Sequence, residues 1–316
     1  MIFPGNIFKK IDFDFHPVWV LVAINVAVFL FIQLLVGDTL KNYTNDVYLE
    51  KTSKMRELYL QTLDPLEKTQ STEISATSII RDSKFWYRAE NFPFKGDQVK
   101  IADSKQFLKE LKESYLKSPQ FLFGLSPSPT SIWAWITYQF LHTSFFHLLM
   151  NMLFLYLIVG VMQTKIDQDW IYAIYVLSGL GGGYAYLWMN PMNEIAVVGA
   201  SGAICGLMGF MSIAFHSQNM EWSYFLSPVK GYYGIINLPV FLLFPMYLIS
   251  DFTTVLYYNT GVQSSVAHSA HIGGTLVGCC LGALYLVDQR AKKNILAKWG
   301  HHLSHEEFVS LRDKIK

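Results

Sequence analysis

The sequence predicts an all-α polytopic membrane protein: a bundle of six transmembrane helices with a large extramembrane insertion between the first and second. Composition is the first reason, since 52% of residues are hydrophobic and 16% aromatic. Charge distribution is the second. Between Gly231 and Val287 the only Asp, Glu, Lys or Arg is Asp251, and a water-soluble core needs no spans of that kind. Length is the third: six apolar stretches approach the ~20 residues that a helix needs to cross the hydrocarbon layer.

Residues 1–36 comprise a short segment with Lys9 and Lys10, then the first span, Pro17 to Val36. That run is too long for the apolar region of a signal peptide, and no small-residue cleavage pattern follows it, so it is expected to be retained. Residues 37–130 are rich in Lys, Glu, Asp, Ser and Thr and contain no run that could span. Helical spacing shows at Tyr48–Leu63 and at Ser104–Lys117, where Phe107, Leu108, Leu111 and Tyr115 share a face. Ser118-Pro119 and Ser126-Pro127-Ser128-Pro129 punctuate its end. The sequon Asn42-Tyr43-Thr44 matters only in a glycosylating compartment.

Residues 131–287 hold five further spans, about Ile132–Met162, Trp170–Met189, Ala196–Phe215, Tyr232–Ser250 and Val266–Val287. The first of these exceeds what a bilayer requires, so its start is expected to lie along the membrane surface. Pro239 and Pro245 interrupt the backbone hydrogen bonds of Tyr232–Ser250, which makes it the expected mobile element. Residues 288–316 form a basic tail. In it Ser304-His305-Glu306-Glu307 reads as a capping box, and Phe308, Leu311 and Ile315 share a face suited to the inner leaflet. His301, His302 and His305 lie in that solvated tail and are not read as a metal site.

Short loops fix the orientation. Asn190–Ile195 and Asp251–Ser265 carry no Lys or Arg, whereas the alternate side holds Lys9, Lys10, Lys165 and Lys230, with Arg290, Lys292, Lys293 and Lys298 past the last span. By the positive-inside rule both termini are cytoplasmic, and the long insertion lies outside because long loops cross regardless of charge. The expected location is a bacterial inner membrane. Net charge near zero gives no reason to expect nucleic acid, and Cys205, Cys279 and Cys280 all fall in apolar spans as small packing residues. No cofactor and no metal are expected.

Two glycine-stepped segments carry the chemistry. From His271, Gly274, Gly278 and Gly282 follow on one helix stripe; Gly202, Gly206 and Gly209 make another beside Ser201. Small faces let membrane helices approach backbone to backbone. Docking the stripes would bring Ser201 and His271 to similar depth, about 6–10 Å in from their helix starts. A serine hydroxyl needs an adjacent imidazole to take its proton, and an ionisable group at membrane depth is a functional hypothesis by default. No Asp or Glu lies in either span, so a dyad without an acid is expected. Acyl transfer also needs oxyanion donors. His142, His147 and Asn151 supply candidates near the outer end of the second span, with His147 and Asn151 four apart on one face.

This set resembles the rhomboid family of intramembrane serine proteases. The matching pieces are His142, His147 and Asn151 in H-x-x-x-x-H-x-x-x-N, Gly199, Ser201 and Gly202 in G-x-S-G, and Ala270, His271, Gly274 and Gly278 in A-H-x-x-G-x-x-x-G. The resemblance implies a bundle with a water-filled cavity open to the outer side. It also implies hydrolysis of peptide bonds in or beside transmembrane segments of other membrane proteins, which are the expected partners together with the lipid bilayer. By carry-over Ser201 is the nucleophile and His271 the base, with His147 and Asn151 binding the oxyanion beside Gly199. Cys205 stands where many members carry an aromatic residue, and Trp133-Ala134 where members often show Trp-Arg. His268 is the rival base. The alternative class is a catalytically inactive relative that binds membrane helices in quality control. A transporter would need internal repeats, and none is visible. An α/β-hydrolase elbow would need a glycine where Ala203 stands.

Overall fold

The computed structural model describes residues 2–4, 17–36, 55–63, 85, 88–90, 92–127, 131–191, 196–227, 232–243 and 267–299. Strand β1 (Ile2–Pro4) is followed by helix α1 (Pro17–Val36), whose bounds are those read from the sequence. The insertion contributes α2 (Arg56–Thr62), α3 (Gln98–Leu116) and α4 (Pro119–Phe123). Met55, Tyr59, Leu63, Phe85, Ala89, Phe107 and Leu108 bury themselves together there, so the insertion has an apolar cluster of its own. Lys112 pairs with Glu90 at 2.8 Å on its surface. Ser118 opens α4 by accepting from the Phe121 N–H, with Pro119 in the first turn where its missing N–H is no loss.

The stretch Ile132–Met162 is not one helix. A short α5 (Ala134–Thr137) runs into a 3₁₀ turn (Tyr138–Phe140), the chain extends at Leu141, and α6 (Phe145–Met162) starts afresh. Ser144 makes the new start possible: its hydroxyl accepts the His147 N–H at 3.1 Å. Helix α7 (Gln168–Met189) follows. The fourth span corrects the sequence reading, because α8 covers only Ser201–Ala214. Residues Ala196–Ala200 are not helical. Val197 pairs with Leu125 in an antiparallel bridge, and Gly199 turns the chain at φ +130°. Ser201 therefore opens its helix instead of sitting 6–10 Å inside it.

The fifth span is corrected as well. Tyr233–Pro239 is strand β3, paired with β2 (Asn219–Phe225), and a 3₁₀ turn (Val240–Leu242) comes next. β2 lies between β1 and β3 in an antiparallel sheet, with Phe3 opposite Ser223 and Trp222 opposite Ile236. The β-branched pair Ile235-Ile236 suits a strand, Pro239 ends it, and Trp222 on the neighbouring strand is fully buried against the bundle. Pro245 and Asp251 lie outside the described residues. So do Asn42 with its sequon, the tail from Gly300 with its capping box, and the Leu111 and Tyr115 side chains.

Helix α9 (His268–Trp299) is longer than expected, running past Val287 into the basic segment. Among the described residues, Phe145–Met162 and His268–Ile295 are long and apolar enough to cross a membrane unaided, while Ser201–Ala214 is apolar but shorter. The central core gathers Leu155, Ile158, Val159, Ile171, Ile174, Leu207, Phe210 and Met211 from α6, α7 and α8. Helices α6, α8 and α9 all begin at the end of the bundle where α7 finishes: the Asn190 amide at the close of α7 donates to Ser269 Oγ at 3.1 Å. The sheet caps the opposite end, beside Lys165, which hydrogen-bonds Gln218.

Candidate active site

The core of the site is a backbone-to-backbone approach of α8 and α9. A Cβ placed on Gly274 would collide with the Gly202 carbonyl, and one on Gly278 with the Gly206 carbonyl. Gly282 faces the Phe210 carbonyl at 2.8 Å from the same virtual atom, and Gly209 faces Thr275 O at 2.5 Å. The register advances four residues at a time on both helices, which is why glycines at this spacing mesh over several turns. Lipid supplies no hydrophobic drive between helices, so close packing of this kind is what holds them. The stretch Gly179–Gly183 on α7 was not singled out from the sequence. It brings a third helix in, with Gly182 facing the Ala270 carbonyl at 2.7 Å and Gly181 against Val277.

With the helices locked at this depth, His271 Nε2 lies 2.8 Å from Ser201 Oγ. Both side chains are half-buried. That distance suits a hydrogen bond between a hydroxyl and an imidazole. The contact is made by His271 and not by His268, whose ring sits one turn earlier with its centroid 6.0 Å from the His271 ring. Thr275 holds the backbone below, its hydroxyl donating to His271 O at 2.8 Å.

His147 and Asn151 face the other side of the Ser201 turn. The point a Gly199 Cβ would occupy lies 3.0 Å from His147 Nε2 and 3.9 Å from Asn151 Nδ2. Glycine is needed here twice over: the φ of +130° disfavours an L side chain, and any Cβ would press on the imidazole. Asn151 is buried and donates to His147 O at 3.1 Å. His142 is buried edge-on to the His147 ring, centroids 5.0 Å apart, and its two ring nitrogens have no hydrogen-bond partner among the described residues.

Sequence reasoning did not single out two residues that frame the site. Tyr138 accepts the Gly199 N–H on its carbonyl at 2.9 Å, while its buried hydroxyl donates to Gly179 O at 2.5 Å, tying the serine turn to α7. Thr143 Oγ1 lies 3.3 Å from His147 Nδ1. Neither belongs to a spacing pattern. The only available signal was the helix break at Leu141–Ser144, which a Thr-Ser pair ahead of an apolar run marks. Cys205 is buried within α8, one turn beyond Ser201.

A helical membrane protein with a serine–imidazole contact where two glycine-stepped helices meet is a narrow class, and sequence comparison agrees with it. The family model described as the Rhomboid domain matches residues 129–288. The chain belongs to the rhomboid family. It is 33% identical over 155 residues to RHOMBOID-like protein 5 of Arabidopsis thaliana, covering 49% of this chain and 44% of that protein. It is 30% identical over 163 residues to the mitochondrial RHOMBOID-like protein 6 of the same plant, covering 50% and 45%. To the rhomboid protease GlpG of Yersinia enterocolitica it is 25% identical over 147 residues, 46% of each chain. The chain thus spans less than half the length of these relatives.

Proposed function

We propose that the protein is an intramembrane serine endopeptidase that hydrolyses peptide bonds in or next to transmembrane segments of other membrane proteins. The observation that carries this reading is the 2.8 Å contact between Ser201 Oγ and His271 Nε2. Membership of a family with a relative named as a protease supports it. Ser201 Oγ attacks the scissile carbonyl carbon while His271 Nε2 takes the hydroxyl proton. The tetrahedral oxyanion is received beside Gly199 by His147, Asn151 and the Ser201 backbone N–H. Collapse expels the amine, which collects the proton from His271 and leaves an acyl-enzyme on Ser201. Water, deprotonated by the same imidazole, then hydrolyses that ester and restores the serine.

The proposal keeps the expectation of six spans; the part of Tyr232–Ser250 that follows Leu243 lies outside the described residues. It keeps the division into residues 1–36, 37–130, 131–287 and 288–316, with the catalytic core third. Both termini are placed on the cytoplasmic side, which Lys165 at the sheet end of the bundle supports. The protein is an integral membrane protein. Its relatives include mitochondrial proteins of a plant and of yeast, so they do not support the bacterial inner membrane over an organellar one.

A fluorophosphonate probe tests the dyad. Wild type and His268→Ala are expected to label on Ser201, and His271→Ala to lose labelling. Equal labelling of His271→Ala would remove His271 as the base.

A further inference from the structure

We propose that Thr143 is a positioning residue that holds His147 in the tautomer with its proton on Nε2, aimed at the space beside Gly199. The inference rests on the hydrolase reading for its purpose, though not for its geometry. A neutral imidazole carries one donor and one acceptor nitrogen, and the partner of one nitrogen decides the role of the other. Here Nδ1 has Thr143 Oγ1 at 3.3 Å, and Nε2 faces the Gly199 turn, 3.0 Å from where a Cβ would stand. The main chain that carries the ring is held, and one neighbour lies against the ring itself. Its backbone N–H is bound by Ser144 Oγ at 3.1 Å, its carbonyl accepts from Asn151 Nδ2 at 3.1 Å, and the buried His142 ring lies against it.

A threonine hydroxyl could take either role toward Nδ1, and the surroundings separate the two. Among the described residues that hydroxyl makes no other hydrogen bond. Were it to accept from an Nδ1–H, its own proton would have no partner among the described residues, whereas donation to Nδ1 uses that proton. Donating to Nδ1 satisfies the proton and leaves Nε2–H pointing toward Gly199. There it converges with the second amide proton of Asn151, the first being used on His147 O. Two donors near one point, 3.0 Å and 3.9 Å from where a Gly199 Cβ would stand, suit a developing negative oxygen. Thr143 thus acts one bond away from the chemistry, by deciding which His147 nitrogen is the donor.

The test is ¹⁵N NMR of histidine-labelled protein in detergent, with the His147 signals assigned by loss in His147→Ala. Wild type and Thr143→Ser are expected to show a protonated Nε2 and an unprotonated Nδ1, and Thr143→Val a mixture. A wild-type ring protonated on Nδ1, or a tautomer unchanged in Thr143→Val, would overturn the proposal. Kinetics on a labelled single-span substrate supply the second arm. Thr143→Val is expected to lower kcat about tenfold, a fraction of the roughly 10²–10³ lost with a whole oxyanion donor, with KM held and with rescue by Thr143→Ser. In a His147→Ala background the same substitution should change nothing. An equal fall there would mean a merely structural role. If Ser201→Ala cleaves as well as wild type, the hydrolase reading fails while the NMR arm still decides the tautomer.

Discussion

Gly274 lies against the carbonyl of Gly202, so closely that a methyl group could not stand between them. This approach, continued by Gly278 on Gly206, sets the depth at which the first residue of α8 meets the fourth residue of α9. The serine–histidine contact is therefore a consequence of helix packing before it is a matter of side-chain chemistry. Substitutions on the glycine stripes should separate stability from activity less cleanly than substitutions elsewhere.

Gly278→Val is expected to force α9 away from α8 and to destabilise the protein by about 1–3 kcal/mol or more, the range for overpacking a tight core. Gly160→Ala on α6 is its control, since nothing lies within 4 Å of the added Cβ. Thermal unfolding in detergent should show a clear drop in Tm for the first and none for the second. Equal Tm values would mean that the stripe is not what holds the helices.

Gly199→Ala is expected to impair turnover more than binding. The added Cβ would need a left-handed backbone and would press on His147 Nε2 from 3.0 Å. A displacement of about 1 Å in such a group costs on the order of 10² in rate. Steady-state kinetics should therefore show kcat falling with KM nearly unchanged.

Much of this arrangement could be read from residue order, and the reasons are particular. Pro17–Val36 was legible because an uncharged run of spanning length has few alternatives. The meeting of Ser201 with His271 was legible because each stands at the head of a glycine stripe, so docking the stripes brings the two to one depth. Other parts were hidden by context. Ala196–Ala200 is as apolar as the helix it precedes, and only the Val197–Leu125 pairing and the Gly199 turn keep it extended. Tyr233–Pro239 matches a membrane helix in composition, yet it pairs with β2, a partner that hydropathy does not reveal. Tyr138 was invisible for a similar reason. Its value lies in two hydrogen bonds to residues far along the chain, and no spacing rule encodes them.

Tyr138→Phe should cost stability before it costs activity. The variant removes the hydroxyl donor from the Gly179 carbonyl, which still accepts within its own helix, a loss of about 0.5–1.5 kcal/mol. The main-chain bond from Gly199 N–H to Tyr138 O survives. Differential scanning fluorimetry should report a lowered Tm, while cleavage at a permissive temperature stays near the wild-type rate. A kcat collapse at unchanged Tm would contradict this division of roles.

The central claim is that Ser201 attacks a peptide bond with His271 as its base. It is tested most directly by reconstituting purified wild type and Ser201→Ala with a labelled single-span membrane protein and following fragment release. Cleavage by wild type and none by Ser201→Ala is the predicted result. Fragments released at the same rate by both would contradict it.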